Sequence, residues 1–409
     1  MTLDDTPEEA AYRAAARRWI VENAPDLERL SLDERRVWQP RHREVATAWQ
    51  ALKATAGYAC IAWPTAWGGA GGTQMQEAIF AQEESRAGLS FPYFMTGLQM
   101  LLPALLQFNS DPRTLALVPP AVRGETIWCQ LFSEPFSGSD SAAARCSAVR
   151  DGDDWVLNGQ KVWNSGAHQS DFGLVVTRTD PDALKHKGMT VFWIDMRNPG
   201  LEVRPIKMMT GDSEFDEVFL TNVRVSDAQR VGEVGEGWKV ILATLANERA
   251  AIGAGRGPSW REIMRLARET SGWNGPVMQD TDFRDWLADW YVGAEAVRLL
   301  GLQSLSQLSH GEAPGPEGAA GKLLWASLSQ QISSQALDVL GVQGLIDDPK
   351  IAAVGGVFHQ RFMWAPALRL GGGTDEILKT LIAERVLGLP SGPRADKGVP
   401  FKDIPIGPG

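Results

Sequence analysis

The chain has 409 residues, of which 44% are hydrophobic and 22% are charged, and its formal net charge is −10 at pH 7. A chain of this length is long enough for two or three domains with substantial cores, and its composition is typical of water-soluble globular proteins. The negative charge argues against nucleic acid as the main partner and against a polybasic membrane anchor.

Neither a membrane segment nor a metal centre is expected. The chain has no run of 18 apolar residues and begins with acidic and polar residues, so we expect no signal peptide, no transmembrane helix and a cytoplasmic location. The three cysteines and five histidines are sparse and lack metal-ligand spacing. This pattern predicts no metal site, no disulfide framework and a reducing compartment.

Helical patterns fill the N-terminal part of the chain. Thr6 precedes Pro7 and is followed by Glu9, a combination that caps the start of a helix. Further helices are predicted at 43–56, 74–88 and 96–108. We therefore predict an all-helical N-terminal domain over residues 1–125.

The hydrophobic pattern changes in residues 126–232, where short runs of β-branched and aromatic residues predict strands. These runs lie at 155–157, 172–176, 189–194 and 219–225, with turn signals between them. Strands at regular spacing without intervening helices predict a small β-barrel or β-sandwich domain.

Helical patterns return in residues 233–390, which we predict to be a C-terminal α-helical domain. The predicted helices are 238–254, 258–271, 281–309, 321–341 and 374–387. The Pro/Gly-rich residues 391–409 are expected to form an extended tail. The predicted fold class is therefore α+β and multi-domain, with helices, then strands, then helices.

The most informative stretch is Trp128–Asp140, which contains Ser-Glu-Pro-Phe-Ser-Gly-Ser-Asp. Its small hydroxyl residues and its glycine allow backbone N–H groups to come close to a ligand. Further along the chain, Trp163 offers a flat aromatic face and Ser165 a hydroxyl group. Small donors beside an aromatic plate suit a planar, phosphate-bearing cofactor. Two ordinary turns and a core tryptophan explain either segment on its own.

Glu248 is a candidate general base. Ile241, Leu245 and Ile252 fall on one face of a predicted helix, and Glu248 lies among them. A carboxylate on an apolar stripe is costly to bury unless it is paired or partly protonated, and such a group suits proton abstraction near neutral pH. An ion pair with Arg249 or with another helix is the alternative explanation.

Three glycines, Gly371–Gly373, precede a predicted helix start at Thr374. A glycine-rich entry leaves N–H groups free at a helix N-terminus, which makes a natural site for an anion or an oxyanion. Thr374 is placed to cap the helix, and Asp375 and Glu376 favour its N-terminus. An ordinary helix start explains the same residues.

These segments and the order of helical and strand regions together resemble the acyl-CoA dehydrogenase family over residues 6–390. The resemblance implies a C-terminal domain like a four-helix bundle, and FAD held between the middle and C-terminal domains and completed by a neighbouring subunit. It also implies oxidation of an acyl-CoA to the 2,3-enoyl-CoA, with an electron-transfer flavoprotein as the electron acceptor.

The resemblance also implies individual contacts. The residues that match the family's flavin contacts are Gln130, Phe132, Ser133, Gly138, Ser139, Trp163, Ser165, Thr374 and Glu376. On the substrate side the matching residues are Ser139, Arg249 and Gly371. The cation of Arg249 would lie near the CoA end of the pocket, where a fixed positive charge suits a nucleotide.

The position of the base departs from most of the family. Most members carry a glutamate directly before the Gly-Thr pair of the C-terminal motif, where this chain has Gly372. A minority, including isovaleryl- and long-chain-type enzymes, place the base on a helix after the β domain, and Glu248 matches that position. The backbone N–H of Gly372 keeps its implied role as a donor to the thioester oxygen. Because Gly371 and Gly372 lack side chains, we expect a pocket for a branched or bulky acyl group.

Three further departures keep other interpretations open. Phe136 replaces a residue that is usually small, residues 338–344 lack the usual Gly-Gly-x-Gly arrangement, and residues 269–275 show no evident arginine for a partner's FAD. Both a homotetramer and a heterotetramer therefore stay open. The alternatives to a catalytic subunit are a non-catalytic subunit of a heterotetramer and a flavin oxidase or monooxygenase on the same fold.

Overall fold

A computed structural model describes residues 5–31, 34, 37–89, 91–253, 260–272, 275–309, 318–393 and 396–404. The contacts within the chain divide it into two compact units. The first unit comprises Met1–Met208, Ser213–Glu248 and Pro393–Gly409, and the second comprises Met209–Asp212 and Arg249–Gly392.

The N-terminal part of the first unit contains only helices in its described residues. They are α1 (Pro7–Asn23), α2 (Pro40–Thr55), α3 (Gln74–Arg86), a π-helical segment (Thr96–Leu101) that leads into α4 (Leu102–Phe108), and the short helices α5 (Pro112–Leu115) and α6 (Val118–Val122). Short 3₁₀ helices lie at Leu27–Arg29, Thr65–Trp67 and Pro92–Phe94. α1 begins where the sequence predicts. The hydroxyl of Thr6 accepts a hydrogen bond from the N–H of Glu9, and the Glu9 carboxylate accepts one from the N–H of Thr6.

The central part of the first unit is a single eight-stranded sheet. Its strands are β1 (Trp128–Leu131), β2 (Ser147–Asp151), β3 (Asp154–Ser165), β4 (Phe172–Arg178), β5 (Met189–Asp195), β6 (Leu201–Ile206), β7 (Phe215–Ser226) and β8 (Arg230–Val231). The strand order is β6-β7-β3-β2-β4-β5-β8, and β1 pairs in parallel with β4. The prediction of a central β domain between helical regions is confirmed.

The strands of this sheet contribute to two hydrophobic cores. Because side chains alternate along a strand, Leu174 of β4 lies in one core and Val175 in the other. The first core also contains Leu105 of α4 and Ile241 of helix α7 (Gly237–Gly253). The start of α7 is therefore packed against the sheet, and this packing directs the helix toward the end of β1.

A buried ion pair shapes the loop that follows β1. Lys161 of β3 is fully buried, and its Nζ donates to Glu134 Oε1 at 2.8 Å and to the Phe132 carbonyl at 3.1 Å. The Glu134 carboxylate also accepts hydrogen bonds from the N–H groups of Arg145 and Cys146, at 2.7 and 2.8 Å. A buried charge is tolerated when it is paired and hydrogen-bonded in this way. The Glu134 carboxylate thus ties the loop to β3 and to the start of β2.

Within its described residues, the second unit is helical apart from the two-stranded ribbon of β9 (Ser271–Gly272) and β10 (Gly275–Pro276). Its helices are α8 (Trp260–Glu269), α9 (Thr281–Ser309), α10 (Gly318–Leu340), α11 (Val357–Leu368) and α12 (Asp375–Leu381). One hydrophobic core joins four of these helices, through Ile263 of α8, Phe283 of α9, Ile332 of α10 and Phe358 of α11. The sequence pattern did not predict α11. This helix contains Pro366, a residue that normally disfavours a helix interior.

Burial controls the chemistry of the cysteines, all three of which are free thiols. Burial raises the pKa of Cys60 and Cys129 to about 12 and the pKa of Cys146 to about 11. The thiolate is the nucleophile, so a raised pKa makes a thiol unreactive near neutral pH.

In the part of the chain that the structure describes, no helix is long and apolar enough to cross a membrane. The same described residues contain no group of three or more His, Cys, Asp or Glu side chains that could hold a metal ion.

We expect the three thiols to react slowly with a chromogenic disulfide reagent at about pH 8 in the folded protein, because few of them are ionised at that pH. In guanidinium all three should react rapidly, since unfolding restores ordinary thiol pKa values. The measurement is the time course of chromophore release. Rapid release of one equivalent from the folded protein would contradict the burial of these groups.

We expect Glu134→Ala to destabilise the first unit by about 3–5 kcal/mol, because it leaves the Lys161 ammonium buried without its carboxylate. Urea unfolding followed by tryptophan fluorescence measures the change. The matched control is Glu202→Ala in β6, which removes an exposed pair with Arg204. Water screens an exposed pair, so the control should leave the midpoint nearly unchanged. Equal effects of the two substitutions would show that the buried pair does not support the fold.

Candidate active site

The carboxylate of Glu248 lies beside the first strand of the sheet. Gln130 of β1 donates a hydrogen bond from Nε2 to Glu248 Oε2 over 3.4 Å, and only 8% of Glu248 is exposed. Trp128 of β1 and Ile241 of α7 share one hydrophobic core, which holds the strand and the helix together. The structure therefore brings two of the sequence-predicted site residues into contact, one from the middle of the chain and one from the helix after the sheet.

α7 buries the face that the sequence predicts. Ile241 is fully buried, Leu245 packs against the same core, and Glu248 follows on that face. Ile252, the fourth residue of the predicted face, has a side chain outside the described residues. The hydrogen bond from Gln130 is long, so it is a weak contact between two neighbouring side chains. The side chain of Arg249 lies outside the described residues. Its predicted substrate contact and its alternative ion pair with Glu248 both stay predictions.

The loop after β1 presents Phe136, Gly138 and Ser139 to solvent. Glu134 and Ser137 exchange two backbone hydrogen bonds of 3.0 Å, which close a tight turn with Phe136 exposed at its tip. Gly138 and Ser139 are also exposed, and a Cβ atom added at Gly138 would meet no atom within 4 Å. This loop leaves open space beside the residues that the resemblance assigns to FAD and substrate.

Trp163 lies at an irregularity of the sheet. The pairing of β3 with β7 shifts between Lys161 and Asn164, and Trp163 has a φ of +63°. Its side chain is 60% exposed, with the Phe215 ring packed edge-on at a centroid distance of 6.1 Å. A left-handed backbone is unfavourable for a tryptophan, so the surrounding sheet must hold this exposed ring in place. Ser165 is half-buried at the end of β3.

Three buried polar atoms on these segments have no hydrogen-bond partner among the described residues. They are Trp128 Nε1, Gln130 Oε1 and Asn164 Oδ1. Buried polar groups are nearly always hydrogen-bonded. One free donor and two free acceptors, together with the exposed face of Trp163, fit a planar ligand that both donates and accepts hydrogen bonds, as a flavin ring does.

Other predicted flavin residues of the first unit differ in exposure. The side chain of Phe132 is buried in the core that faces the helices, while its carbonyl accepts from Lys161. Ser133 is half-buried, and its carbonyl accepts a hydrogen bond of 3.0 Å from the N–H of Val162. Phe132 is therefore placed to contact a ligand through its backbone only.

In the second unit, the glycine loop and its helix start have the predicted form. The Thr374 hydroxyl caps α12 by accepting from the N–H of Ile377 at 3.3 Å. Gly372 and Gly373 have φ values of +67° and +93°, which side-chain-bearing residues rarely adopt. Gly371 and Glu376 are exposed. Hydrogen bonds from its own backbone N–H and from Thr374 hold the pKa of the Glu376 carboxyl below its usual value.

Two charged residues that the sequence analysis missed fix this loop. The buried Lys322 of α10 donates from Nζ to the Gly373 carbonyl at 2.6 Å. Arg369 donates from Nε to the buried Asp375 carboxylate at 2.6 Å and from Nη1 to Gln330 Oε1 at 2.9 Å. A lysine within the apolar pattern of α10 was the signal that could have pointed to the first contact.

Family models match the chain in three consecutive segments. The N-terminal, middle and C-terminal domain models of the acyl-CoA dehydrogenases match residues 6–125, 129–223 and 235–387. Among curated proteins, the acyl-CoA dehydrogenase FadE34 of Mycobacterium tuberculosis is 37% identical over 80% of this chain, which spans only 44% of FadE34. The acyl-CoA dehydrogenase IpdE1 of the same organism is 32% identical over 93% of this chain and 97% of its own length.

Solved structures show the same fold. The Tcur3481-Tcur3483 steroid ACAD superposes with a TM-score of 0.82 and 28% identity, covering 96% of this chain and 100% of that chain. The ChsE4-ChsE5 complex from Mycobacterium tuberculosis gives a TM-score of 0.78 and 27% identity over 96% of this chain and 100% of that chain. With its helical N-terminal domain, central sheet and helical C-terminal domain, this chain belongs to the acyl-CoA dehydrogenase family.

Proposed function

We propose that this chain is an FAD-dependent acyl-CoA dehydrogenase that converts an acyl-CoA into the 2,3-enoyl-CoA, with Glu248 as the catalytic base. The observation that carries the proposal is the contact between the buried Glu248 and Gln130, a residue of the motif strand. Glu248, on the apolar face of α7, therefore lies beside β1, the strand whose equivalent in the family contacts the flavin.

The role of Glu248 is to remove the proton from the α-carbon of the acyl thioester. An α-C–H is a very weak acid, so the carboxylate must be held close to it and shielded from bulk water. Burial of Glu248 provides the shielding, and the Gln130 amide contacts Oε2. The proton is held on the Glu248 carboxyl after its transfer.

The second requirement is a donor for the thioester oxygen, on which negative charge develops as the proton leaves. Fixed backbone N–H groups are effective at this task because they need no reorganisation during the reaction. We assign the donor to the N–H of Gly372. The residues next to it are fixed by hydrogen bonds from Lys322 to the Gly373 carbonyl and from Arg369 to the Asp375 carboxylate. Gly371 would contact the acyl group, and the absence of a side chain there leaves room for it.

FAD, when bound, supplies the acceptor for the hydride that leaves the β-carbon. The residues that we propose to hold it are Gln130, Phe132, Ser133, Gly138, Ser139, Trp163, Ser165, Thr374 and Glu376. The unpaired Oε1 of Gln130 and the exposed ring of Trp163 support this assignment. Ser139 would also contact the pantetheine part of the substrate, and Arg249 its CoA end.

The acyl group is proposed to be branched or bulky. Two observations support this: no side chain is present at Gly371 or Gly372, and one of the similar solved structures bears the name of a steroid ACAD.

Electrons would pass to an electron-transfer flavoprotein, as in the family generally. We also propose a tetrameric assembly in the cytoplasm.

We expect Glu248→Gln to lower acyl-CoA turnover by about 10²–10⁴-fold, because glutamine cannot accept the α-proton. Dye reduction by the purified protein measures turnover, and flavin absorbance before the assay reports whether FAD is retained. The matched control is Glu236→Gln, which removes an exposed carboxylate that pairs with Lys239 at 2.6 Å just before α7. A Glu248→Gln protein as active as the control would show that the base lies elsewhere.

We expect the chain to turn over ring-bearing or branched acyl-CoA esters with a higher kcat/KM than butyryl-CoA. A Cβ atom added at Gly371 would come no closer than 3.5 Å to its nearest neighbour, the Ala367 carbonyl, so Gly371→Val should fold normally. It should lower kcat/KM for the bulky ester by about tenfold or more while changing that for butyryl-CoA much less, because the added methyl groups compete for pocket space. A clear preference for short straight chains in the unsubstituted protein would contradict the bulky-substrate proposal.

A second candidate is a subunit of a complex of two different chains, with the catalytic flavin contributed jointly or by the other subunit. The names of two similar solved structures, Tcur3481-Tcur3483 and ChsE4-ChsE5, each join two proteins. Intact-mass measurement of the native assembly and flavin absorbance per chain distinguish a homotetramer with one FAD per chain from a mixed complex with fewer. A flavin oxidase or monooxygenase would instead consume oxygen with a substrate that lacks CoA.

A further inference from the structure

Residues 396–404, here called the strap, lie across the connection between β4 and β5 in the first unit. Pro400 forms an antiparallel bridge with Leu184, and the N–H of Phe401 donates to the Ala183 carbonyl at 2.9 Å. The sequence predicted only an extended tail in this part of the chain. The described part of the tail is instead built into the β domain by main-chain hydrogen bonds.

Phe401 is the buried anchor of the strap. Only 3% of it is exposed, and the guanidinium carbon atoms of Arg178 and Arg145 lie 3.7 and 4.9 Å from its ring centroid. A cation over an aromatic face is attracted more strongly when both are removed from water. Burial lowers the pKa of Arg178 to about 10, so this side chain is still charged at neutral pH.

Arg178 connects Phe401 to the motif loop. Its guanidinium donates to the carbonyls of Ala142 and Ala144, at 2.6 and 3.3 Å, and to the Lys185 carbonyl at 2.7 Å. The first two carbonyls lie two and four residues after Asp140, the last residue of the Gly138-Ser139-Asp140 segment. The ring of Phe401 therefore fixes a side chain that in turn fixes the main chain of this loop.

A second connection runs through Lys185. Its buried ammonium donates to Asp140 Oδ2 at 2.5 Å and to Asp396 Oδ2 at 2.6 Å. Burial alone would lower the pKa of Lys185, but its hydrogen bonds to the two carboxylates raise it overall. Lys185 thus joins the aspartate of the motif to the first described residue of the strap.

We propose that the strap holds residues 138–144, here called the binding loop, in the conformation that binds ligands. Phe401 acts as a positioning residue through Arg178, and Asp396 acts through Lys185. The inference rests on the proposed function in one respect, since Gly138 and Ser139 are the residues of this loop that we assign to FAD and acyl-CoA. The strap itself supplies no catalytic residue.

The first test is amide hydrogen exchange of the full-length protein without substrate, read on peptides that cover residues 137–146. We expect about tenfold faster exchange of these peptides in Phe401→Ala and in Phe401→Leu, because both remove the aromatic face that holds Arg178. Phe401→Tyr keeps that face and should restore protection. Lys402→Ala is the matched control on the strap, since this side chain pairs only at the surface with Asp182. Asp396→Asn tests the second connection and should have a smaller effect.

The second test is ligand binding by the same variants. We expect Phe401→Ala to raise the KM for acyl-CoA and the dissociation constant of FAD while changing kcat much less, because Glu248 is untouched. Unchanged exchange of the 137–146 peptides would overturn the proposal. Faster exchange with unchanged KM and FAD affinity would also overturn it, because the strap would then be a structural brace only. If the unsubstituted protein turns over no acyl-CoA, the proposed function fails, while hydrogen exchange and FAD titration still decide the role of the strap.

Discussion

The Glu134 carboxylate accepts hydrogen bonds from Lys161 and from two backbone N–H groups, and the geometry of the site in the first unit depends on them. A surface loop rich in glycine and serine would otherwise sample many conformations, and fixing it would cost conformational entropy each time a ligand bound. Here that entropy is lost on folding, when the buried ammonium closes onto the loop. Gly138 and Ser139 then extend from a turn whose ends are already fixed.

Two glutamates near the same strand, Glu134 and Glu248, have different surroundings. Glu134 is bound to a buried cation and to main-chain donors, so its charge is used for structure. Glu248 lies on the buried face of a helix and receives the neutral amide of Gln130. A carboxylate on an otherwise apolar helix face is costly to bury as a charge, and such surroundings favour uptake of a proton, as the proposed role of Glu248 requires.

The sequence predicted the features that depend on local periodicity and missed those that depend on distant pairing. Helical spacing was enough to place Glu248 on the buried face with Ile241, and the alternation of short strands was enough to predict the central β domain. The contact between Lys161 and Glu134 depends on how β3 lies beside the loop after β1, which no local pattern encodes. The strap was missed for the same reason, because its partners Arg178 and Lys185 are more than two hundred residues away. The left-handed backbone at Trp163 arises from a shift in strand register, which is also a tertiary property.

Burial of the three cysteines affects how the protein reacts with oxidants. Hydrogen peroxide attacks thiolates, and its first product, a sulfenic acid, leads either to mixed disulfides or to irreversible damage. Burial keeps Cys60, Cys129 and Cys146 protonated. The cysteine thiols of the folded chain therefore react slowly with peroxide, whereas the thioether of Met209, which is 63% exposed, stays open to oxidation.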